Sequence, residues 1–470
     1  MTDPVVPTAG AGPVAATGPD PLPRRHPAFF VAAVALFVFA ADLTAVSTAL
    51  GTLASDLRVD LAWASWAVTA LAAGQILALP LGGRFSDRFG GKRVFLTAVA
   101  TLSVVSLLAA GVADMGQLIA CRFVQGLAGG ALLPAASGIV AHHYGRDRDQ
   151  AVALLTSISP MGAVVGPTLG GIVLTFGSWR WIFLVLAPVG LLLTVVGAFV
   201  LREPPRGAAT RVDLWGMTLI GSTLVSVMVV VTVLASIGSP LSIAVLIGAL
   251  IVAVVGAWAY ARHAGRHPTP VVPLALLRGG GLGTMHLVNI VFGMAVIGFV
   301  SLLPVYAEAR YLILPLAASV LTASRAIGTI VFSSITAVVL RRFGARPLLM
   351  GGLGLTSVGL LLAALPPPGM APILWLSLGS AVLGLGMGVA APAAGNAAMH
   401  LIPDHVAAVV GLRGMFVHVG GILAVSVIAS VMSAGRDPGT AAAISFAVLS
   451  ALLAVTALGA TRLPRHRGRW

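Results

Sequence analysis

Acidic residues are scarce in this chain, and two of them stand where acids are least expected. Of the 14 Asp and Glu among 470 residues, only Asp42 and Glu308 fall within long apolar stretches. A carboxyl group held away from water exchanges protons nearer neutral pH than one in solution. Asp42 is therefore the expected principal proton-coupling site, with a structural hydrogen bond between helices as the alternative. Glu308 lies near the end of its stretch, two residues before Arg310. It is expected to be an interfacial acid or, if buried, a second proton site or a partner for a cation.

Arg122, Arg325 and Arg413 share the apolar setting. A cation inside such a run is costly and points to function by default. Arg122 can keep a nearby carboxylate ionised until a proton or ligand displaces the pairing. Asp42, Arg122 and Arg413 are expected to form one charge network, unless the arginines snorkel to an interface. Arg325, near the middle of its run, suits an anionic group. Thr44, Ser47, Gln125, Tyr306, Asn396 and His418 are candidate polar groups of an internal cavity. His286 and His418 could titrate in a useful range, although a lone histidine in such a run more often packs. Gly384, Gly386 and Gly388 follow no strand, so they are no nucleotide loop. No catalytic triad or metal-ligand set is legible, and the single Cys121 excludes an internal disulfide. Neither an enzyme nor a cofactor is expected.

The elements that must position these groups follow from composition. The chain is 58% hydrophobic and only 9% charged, with a mean hydropathy of +1.02. Soluble domains carry about 25% charged residues. Apolar runs of roughly 18–25 residues cross a bilayer as helices, because a helix satisfies its own backbone. Fourteen spans are expected, at about 28–50, 63–82, 94–112, 116–140, 150–174, 180–201, 214–236, 241–261, 283–307, 315–340, 347–365, 371–399, 407–432 and 441–461. The fold class is an all-α polytopic membrane protein.

A net charge of +14 would suggest nucleic acid in a soluble protein. Here about 21 of the 28 Lys and Arg sort to one side when both termini are cytoplasmic. No nucleic-acid partner is expected. Trp63, Trp66, Trp179, Trp181 and Trp375 fall near the opposite ends of their spans, as interfacial aromatics do. A bacterial inner membrane is the expected location.

The expected organisation is a disordered cytoplasmic tail (1–26), a six-helix half (27–202), two linking helices with their loops (203–280), a second six-helix half (281–462) and a basic tail (463–470). Weak echoes support two halves. Arg88-Phe89-Gly90 recurs as Arg342-Phe343-Gly344, and Gly170-Gly171-Ile172 recurs as Gly420-Gly421-Ile422. Paired halves around a central site are common in secondary transporters.

Four motifs are sharper. Gly83-Arg84-Phe85-Ser86-Asp87-Arg88-Phe89-Gly90-Gly91-Lys92-Arg93 follows the second span, with glycines for a tight turn and Asp87 able to cap a helix or pair with an arginine. The fourth span holds Arg122-Phe123-Val124-Gln125-Gly126. In the fifth, Gly162, Gly166 and Gly170 lie four apart beside Pro167, a spacing that makes one smooth packing face. Trp179-Arg180-Trp181-Ile182-Phe183 opens the sixth.

The first string resembles the loop signature of the major facilitator superfamily. The second and third resemble its proton-coupled and antiporter motifs. With the sixth-span string, Asp42, Thr44 and Asp213-Leu214-Trp215-Gly216, the chain resembles the fourteen-helix drug:proton antiporter family of that superfamily. The resemblance implies proton-coupled antiport of small amphipathic molecules by alternating access, with protons and the lipid bilayer as the other partners and a monomer sufficing. A dedicated exporter of an endogenous lipid or secondary metabolite is the alternative, and a non-transporting receptor or scaffold the different class. The chain departs from the family pattern at Ser47, Gly51, Leu71, Leu186 and Glu308, and Arg341 stands where the second loop would carry an acid. These departures bear on substrate more than on mechanism.

Overall fold

The computed structural model describes residues 25–204, 213–234, 240–268, 270, 274, 282–367, 369–401 and 406–462. The expected tails lie outside these residues, except that Arg25 and His26 already belong to the first helix. The described residues form sixteen α-helices and no strands: α1 (Arg25–Thr48), α2 (Leu50–Asp56), α3 (Leu61–Ala64), α4 (Trp66–Phe89), α5 (Gly91–Ala110), α6 (Met115–Tyr144), α7 (Arg148–Phe176), α8 (Arg180–Val200), α9 (Leu214–Leu234), α10 (Pro240–Ala264), α11 (Leu282–Tyr311), α12 (Pro315–Phe343), α13 (Ala345–Ala364), α14 (Pro372–Leu401), α15 (Val406–Ala434) and α16 (Pro438–Gly459). Fourteen of them are 20 to 30 residues long and fall on the expected spans. Twelve are long and apolar enough to cross a membrane, while α7 and α9 carry the shorter apolar stretches Met161–Phe176 and Leu214–Val230.

The helices alternate in direction, so the molecule has a termini end and a distal end. Four acids outside the apolar runs, Asp60, Asp114, Asp213 and Asp437, cap helix starts. Asp60 accepts the Trp63 N–H at 2.8 Å and Asp114 the Gln117 N–H at 3.0 Å, satisfying donors that a helix start leaves unpaired. The short α2 and α3, which periodicity does not reveal, fold the 50–64 connection across the distal end. The expected loop after the second span is largely helix: α4 continues to Phe89 and only Gly90 turns. Gly90 adopts φ +98° and Gly344 φ +80°, each closing one helix and opening the next. The Arg-Phe-Gly echo is thus a repeated geometric need for a residue without a Cβ penalty at positive φ.

The two sets of six helices pack by one scheme. Within the first set, α4 lies on α6, α1 on α7, and α5 on both α6 and α8; within the second, α12 lies on α14, α11 on α15, and α13 on both α14 and α16. Across the sets, α7 meets α12 and α4 meets α15, which is a pseudo-two-fold arrangement. α9 and α10 pair with each other beside α4 and α15.

One apolar core joins the two sets. Its members from the first set, Ala45 to Ile76, Ala109 to Leu118 and Trp179 to Phe183, come from the distal end and the middle. The termini end of the first set has a separate core, including Val31, Leu36, Phe95, Leu132 and Ile139, with no member from the second set among the described residues. The halves are therefore joined distally, where the Ala62 N–H also donates to Ser433 Oγ at 3.0 Å.

Of the five tryptophans expected at an interface, Trp63 and Trp181 are exposed, whereas Trp179 and Trp66 are buried. Trp179 donates from Nε1 to Asp56 Oδ2 at 2.8 Å, so it fastens α8 to α2 rather than meeting headgroups. Trp375 donates to the Leu362 carbonyl at 2.6 Å.

Candidate functional site

Five helices of the first half converge on one buried ion pair. Asp42 lies on α1 about two turns from its distal end, and Arg122 lies about two turns into α6. Arg122 Nη1 donates to Asp42 Oδ2 at 2.6 Å, a charge-assisted bond slightly shorter than the usual range of about 2.7–2.9 Å. The arginine is fully buried, and the Asp42 side chain is 7% exposed. Two further bonds fix the guanidinium: Nε donates to the Ala67 carbonyl on α4 at 2.8 Å, and Nη1 to Gln125 Oε1 at 2.9 Å. The Gln125 amide then donates to Ser106 Oγ on α5 at 2.8 Å. Phe183 on α8 stacks its ring under the cation at 5.7 Å. A buried pair held by this many bonds can offset its desolvation.

The pair is not saturated. Asp42 Oδ1 and Arg122 Nη2 have no hydrogen-bond partner among the described residues. Asp42 borders a cavity of about 30 Å³ between α1, α5 and α8, lined among others by Phe39, Ser103, Ser106, Leu186 and Gly190. That is room for about one water molecule. Leu186, where the family pattern has an amide, is part of this wall.

The glycine seam supports α1 from behind. A Cβ on Gly162 would meet the Phe37 carbonyl, one on Gly166 the Thr44 hydroxyl and the Ala41 carbonyl, and one on Gly170 the Thr48 hydroxyl. The seam thus packs α7 onto the helix that carries Asp42, and Pro167 is buried within it. The matching pair in the second half repeats the contact, with Gly420 of α15 against the Ile290 carbonyl of α11.

The other expected site residues are dispersed. Arg413 does not join Asp42 and Arg122: its Nη2 donates to the Ala391 carbonyl on α14 at 2.8 Å, within the second half. Arg325 is also buried there, with Nη1 3.7 Å from Met387 Sδ. Among the described residues no carboxylate pairs with either arginine, and Nε of each lacks a partner. The expected cavity set is not assembled. Thr44 faces the seam with its hydroxyl on the Ala40 carbonyl, and Ser47 bonds the Thr44 carbonyl at 2.6 Å. Tyr306 is fully buried against Phe446, donating to the Ala363 carbonyl at 3.0 Å. His418 bonds the Gly414 carbonyl of its own helix at 2.8 Å. Asn396 is buried on α14, next to Gly395 and hence near Arg413. Gln125 belongs to the ion-pair network instead.

Glu308 is exposed at the distal end of α11. Its Oε2 lies 3.1 Å from where a Cβ on Gly51 would stand. Two departures from the family pattern therefore face each other across the halves. In the loop motif, Gly83 and Asp87 belong to α4, and their surroundings lie outside what the structure describes. Arg88 is exposed beside the Phe89 ring, and Arg93 is exposed. Glu203 performs a tie the motif reading missed, accepting the Lys92 N–H at 3.1 Å. Ser106 was also unforeseen, because a single hydroxyl in an apolar run carries no pattern.

Comparison with known proteins agrees with this architecture. Residues 32–310 and 285–469 match the family model described as Major Facilitator Superfamily. The chain is 29% identical to a "Multidrug resistance protein B homolog" of Mycobacterium tuberculosis over 81% of this chain and 71% of the relative. It is 29% identical to "Puromycin resistance protein pur8" of Streptomyces alboniger over 89% and 83% of the two chains. A "Probable actinorhodin transporter" of Streptomyces coelicolor is 28% identical over 82% and 68%. The crystal structure of a mutant of the nucleoside transporter NupG superposes with a TM-score of 0.68 at 11% identity, covering 94% of this chain and all of that one; this likeness concerns the fold alone. The chain belongs to the major facilitator superfamily and is a multi-pass membrane transporter, not an enzyme.

Proposed function

We propose that the protein is a proton-coupled antiporter of the fourteen-helix drug:proton type, exporting small amphipathic molecules from the cytoplasm by alternating access. The observation that carries this reading is the buried Asp42–Arg122 pair with an unpartnered carboxylate oxygen beside a cavity. Protonation of Asp42 removes the counter-charge of Arg122 and frees its guanidinium from α1. Because α1 is packed on α7 along the glycine seam, that change reaches the contact of α7 with α12 in the other half. Substrate and proton then act on one equilibrium between two exposures, and linkage makes their effects reciprocal. Relatives named for multidrug and puromycin resistance support export. The basic termini end is assigned to the cytoplasm by its excess of Lys and Arg. With the halves joined distally, this arrangement is the one closed to the outside.

A second reading keeps the fold and mechanism but narrows the cargo to an endogenous metabolite with an anionic group. Arg325 and Arg413, buried with no carboxylate partner among the described residues, favour it, as does a relative named as an actinorhodin transporter.

The test is proton flux in proteoliposomes on addition of puromycin, a cationic dye or an anionic aromatic metabolite. The wild-type protein is expected to couple flux to at least one of them, and Asp42→Asn to abolish coupling while remaining folded. Undiminished coupling in Asp42→Asn would remove the proposed proton site. A response confined to the anionic compound would select the second reading.

A further inference from the structure

The helix pair between the halves carries a cluster that the transport reading leaves unused. α9 starts directly after Asp213, and α10 ends at Ala264, with the chain turning once more so that the His267 N–H bonds the His263 carbonyl at 2.9 Å. Antiparallel packing of α9 on α10 brings these two points together at the termini end. There the Asp213 carboxylate and the imidazoles of His263 and His267 each place a ligand atom within 4.8 Å of the others. Asp213 is 2% exposed. Its Oδ1 caps α9 through the Gly216 N–H at 2.8 Å and lies 2.7 Å from His263 Nε2. The two rings are 5.1 Å apart and tilted by 32°.

We propose that Asp213, His263 and His267 form a binding site for a divalent transition metal ion of the zinc class, clasping the start of α9 to the end of α10. The single turn that follows α10, closed by the His267 N–H on the His263 carbonyl, stacks the two imidazoles side by side so that both can present nitrogens to a common ion. Imidazole ligands select zinc-like cations over magnesium and calcium, which prefer oxygen. Two histidines and a carboxylate make three of the four tetrahedral positions, leaving the last to water from the adjoining open groove, bordered by Trp215, Trp258 and Pro268. Ligands about 2.0–2.1 Å from zinc stand roughly 3.3 Å apart, a spacing that ring rotations reach from the observed one.

The neighbouring charges among the described residues are compatible with this. Arg262 is turned back over the Trp258 ring at 5.7 Å, towards the preceding turn. Arg266 is exposed to solvent, which screens it. Asp213 supplies the anion, and the carbonyl end of α10 adds favourable dipole charge.

Equilibrium dialysis of the chelator-treated, untagged full-length protein against zinc tests the assignment. One zinc per chain is expected. His267→Ala lies beyond the helix end and should leave the fold intact, as its elution profile would verify. Losing a supporting residue outside a metal's own ligands costs about 10–100-fold, so losing a ligand should weaken zinc at least tenfold. His142→Ala, in the other adjacent histidine pair, should bind as wild type does. Absence of a stoichiometric ion, equal binding by His267→Ala, or magnesium bound as tightly as zinc would each overturn the proposal.

Discussion

The two halves share a scaffold and differ in charge. Each packs its first helix on its fifth and its second on its fourth, and each uses a glycine at positive φ between its second and third helices. Yet the buried arginine of the first half has a carboxylate at 2.6 Å, while the two of the second half have a backbone carbonyl and a thioether. Helix packing needs only small residues at the close approaches, so it can be duplicated without duplicating the chemistry. The buried ion pair is therefore one-sided among the described residues, and the second half presents cations instead.

The largest effect is expected from breaking the pair on one side only. Asp42→Ala leaves Arg122 buried and uncompensated, which costs about 3–5 kcal/mol, readable as a lowered melting temperature in detergent. Replacing both, as Asp42→Leu with Arg122→Met, should recover most of that stability but no proton coupling. Equal melting of Asp42→Ala and wild type would erase the contrast between the halves.

Arg413→Met and Arg325→Met should behave in the opposite sense. Neither strands a carboxylate among the described residues, so stability is expected to be unchanged or to rise by up to about 1–4 kcal/mol. If either arginine receives an anionic cargo, transport falls while melting does not. A loss of stability like that of Asp42→Ala would reveal a hidden acidic partner and make the halves alike.

The shared scaffold predicts similar costs at equivalent seams. Gly170→Val and Gly420→Val each force a side chain into a neighbouring helix, and overpacking of this kind costs roughly 1–3 kcal/mol. A harmless substitution in one half alone would show that the seams are not equivalent.

The smallest effect concerns the distal tie of Asp56 to Arg180, at 2.7 Å, and to Trp179. The pair is partly exposed, so Asp56→Asn should cost about 0.2–1 kcal/mol. The Arg180 and Trp179 hydrogen bonds hold the Asp56 carboxyl below its ordinary value of 3.8. Its contribution is thus complete above that pH and is lost as pH falls through the lower folded-state value. Melting curves of Asp56→Asn and wild type should converge in that acidic range and differ above it.

Much of this could be read before any coordinates. Apolar run length located the long helices, because a bilayer penalises both unpaired backbone and charge. The partnership of Asp42 and Arg122 was also foreseen, since both are costly in hydrocarbon and opposite in sign. The third member, Arg413, was placed wrongly, because its cost alone does not say which helices surround it. Trp179 was misjudged for the same reason: its position near a helix end suits a headgroup, but a facing Asp56 captures it. The polar residues grouped as a cavity lining were separated by helix faces, and local hydroxyl-to-carbonyl bonds absorb Thr44 and Ser47.

Composition and spacing along the chain determined that this is a helical membrane protein, where the long helices of the described residues lie and which side chains are costly in an apolar run, because those are penalties each segment bears alone. Which of them meet was decided by packing. Asp42 is joined to an arginine 80 positions away, Gly51 faces Glu308 across the halves, and Asp213 reaches His263 only because α9 and α10 run antiparallel. Such meetings depend on the rotation and depth of one helix against another, which no residue carries within its own stretch.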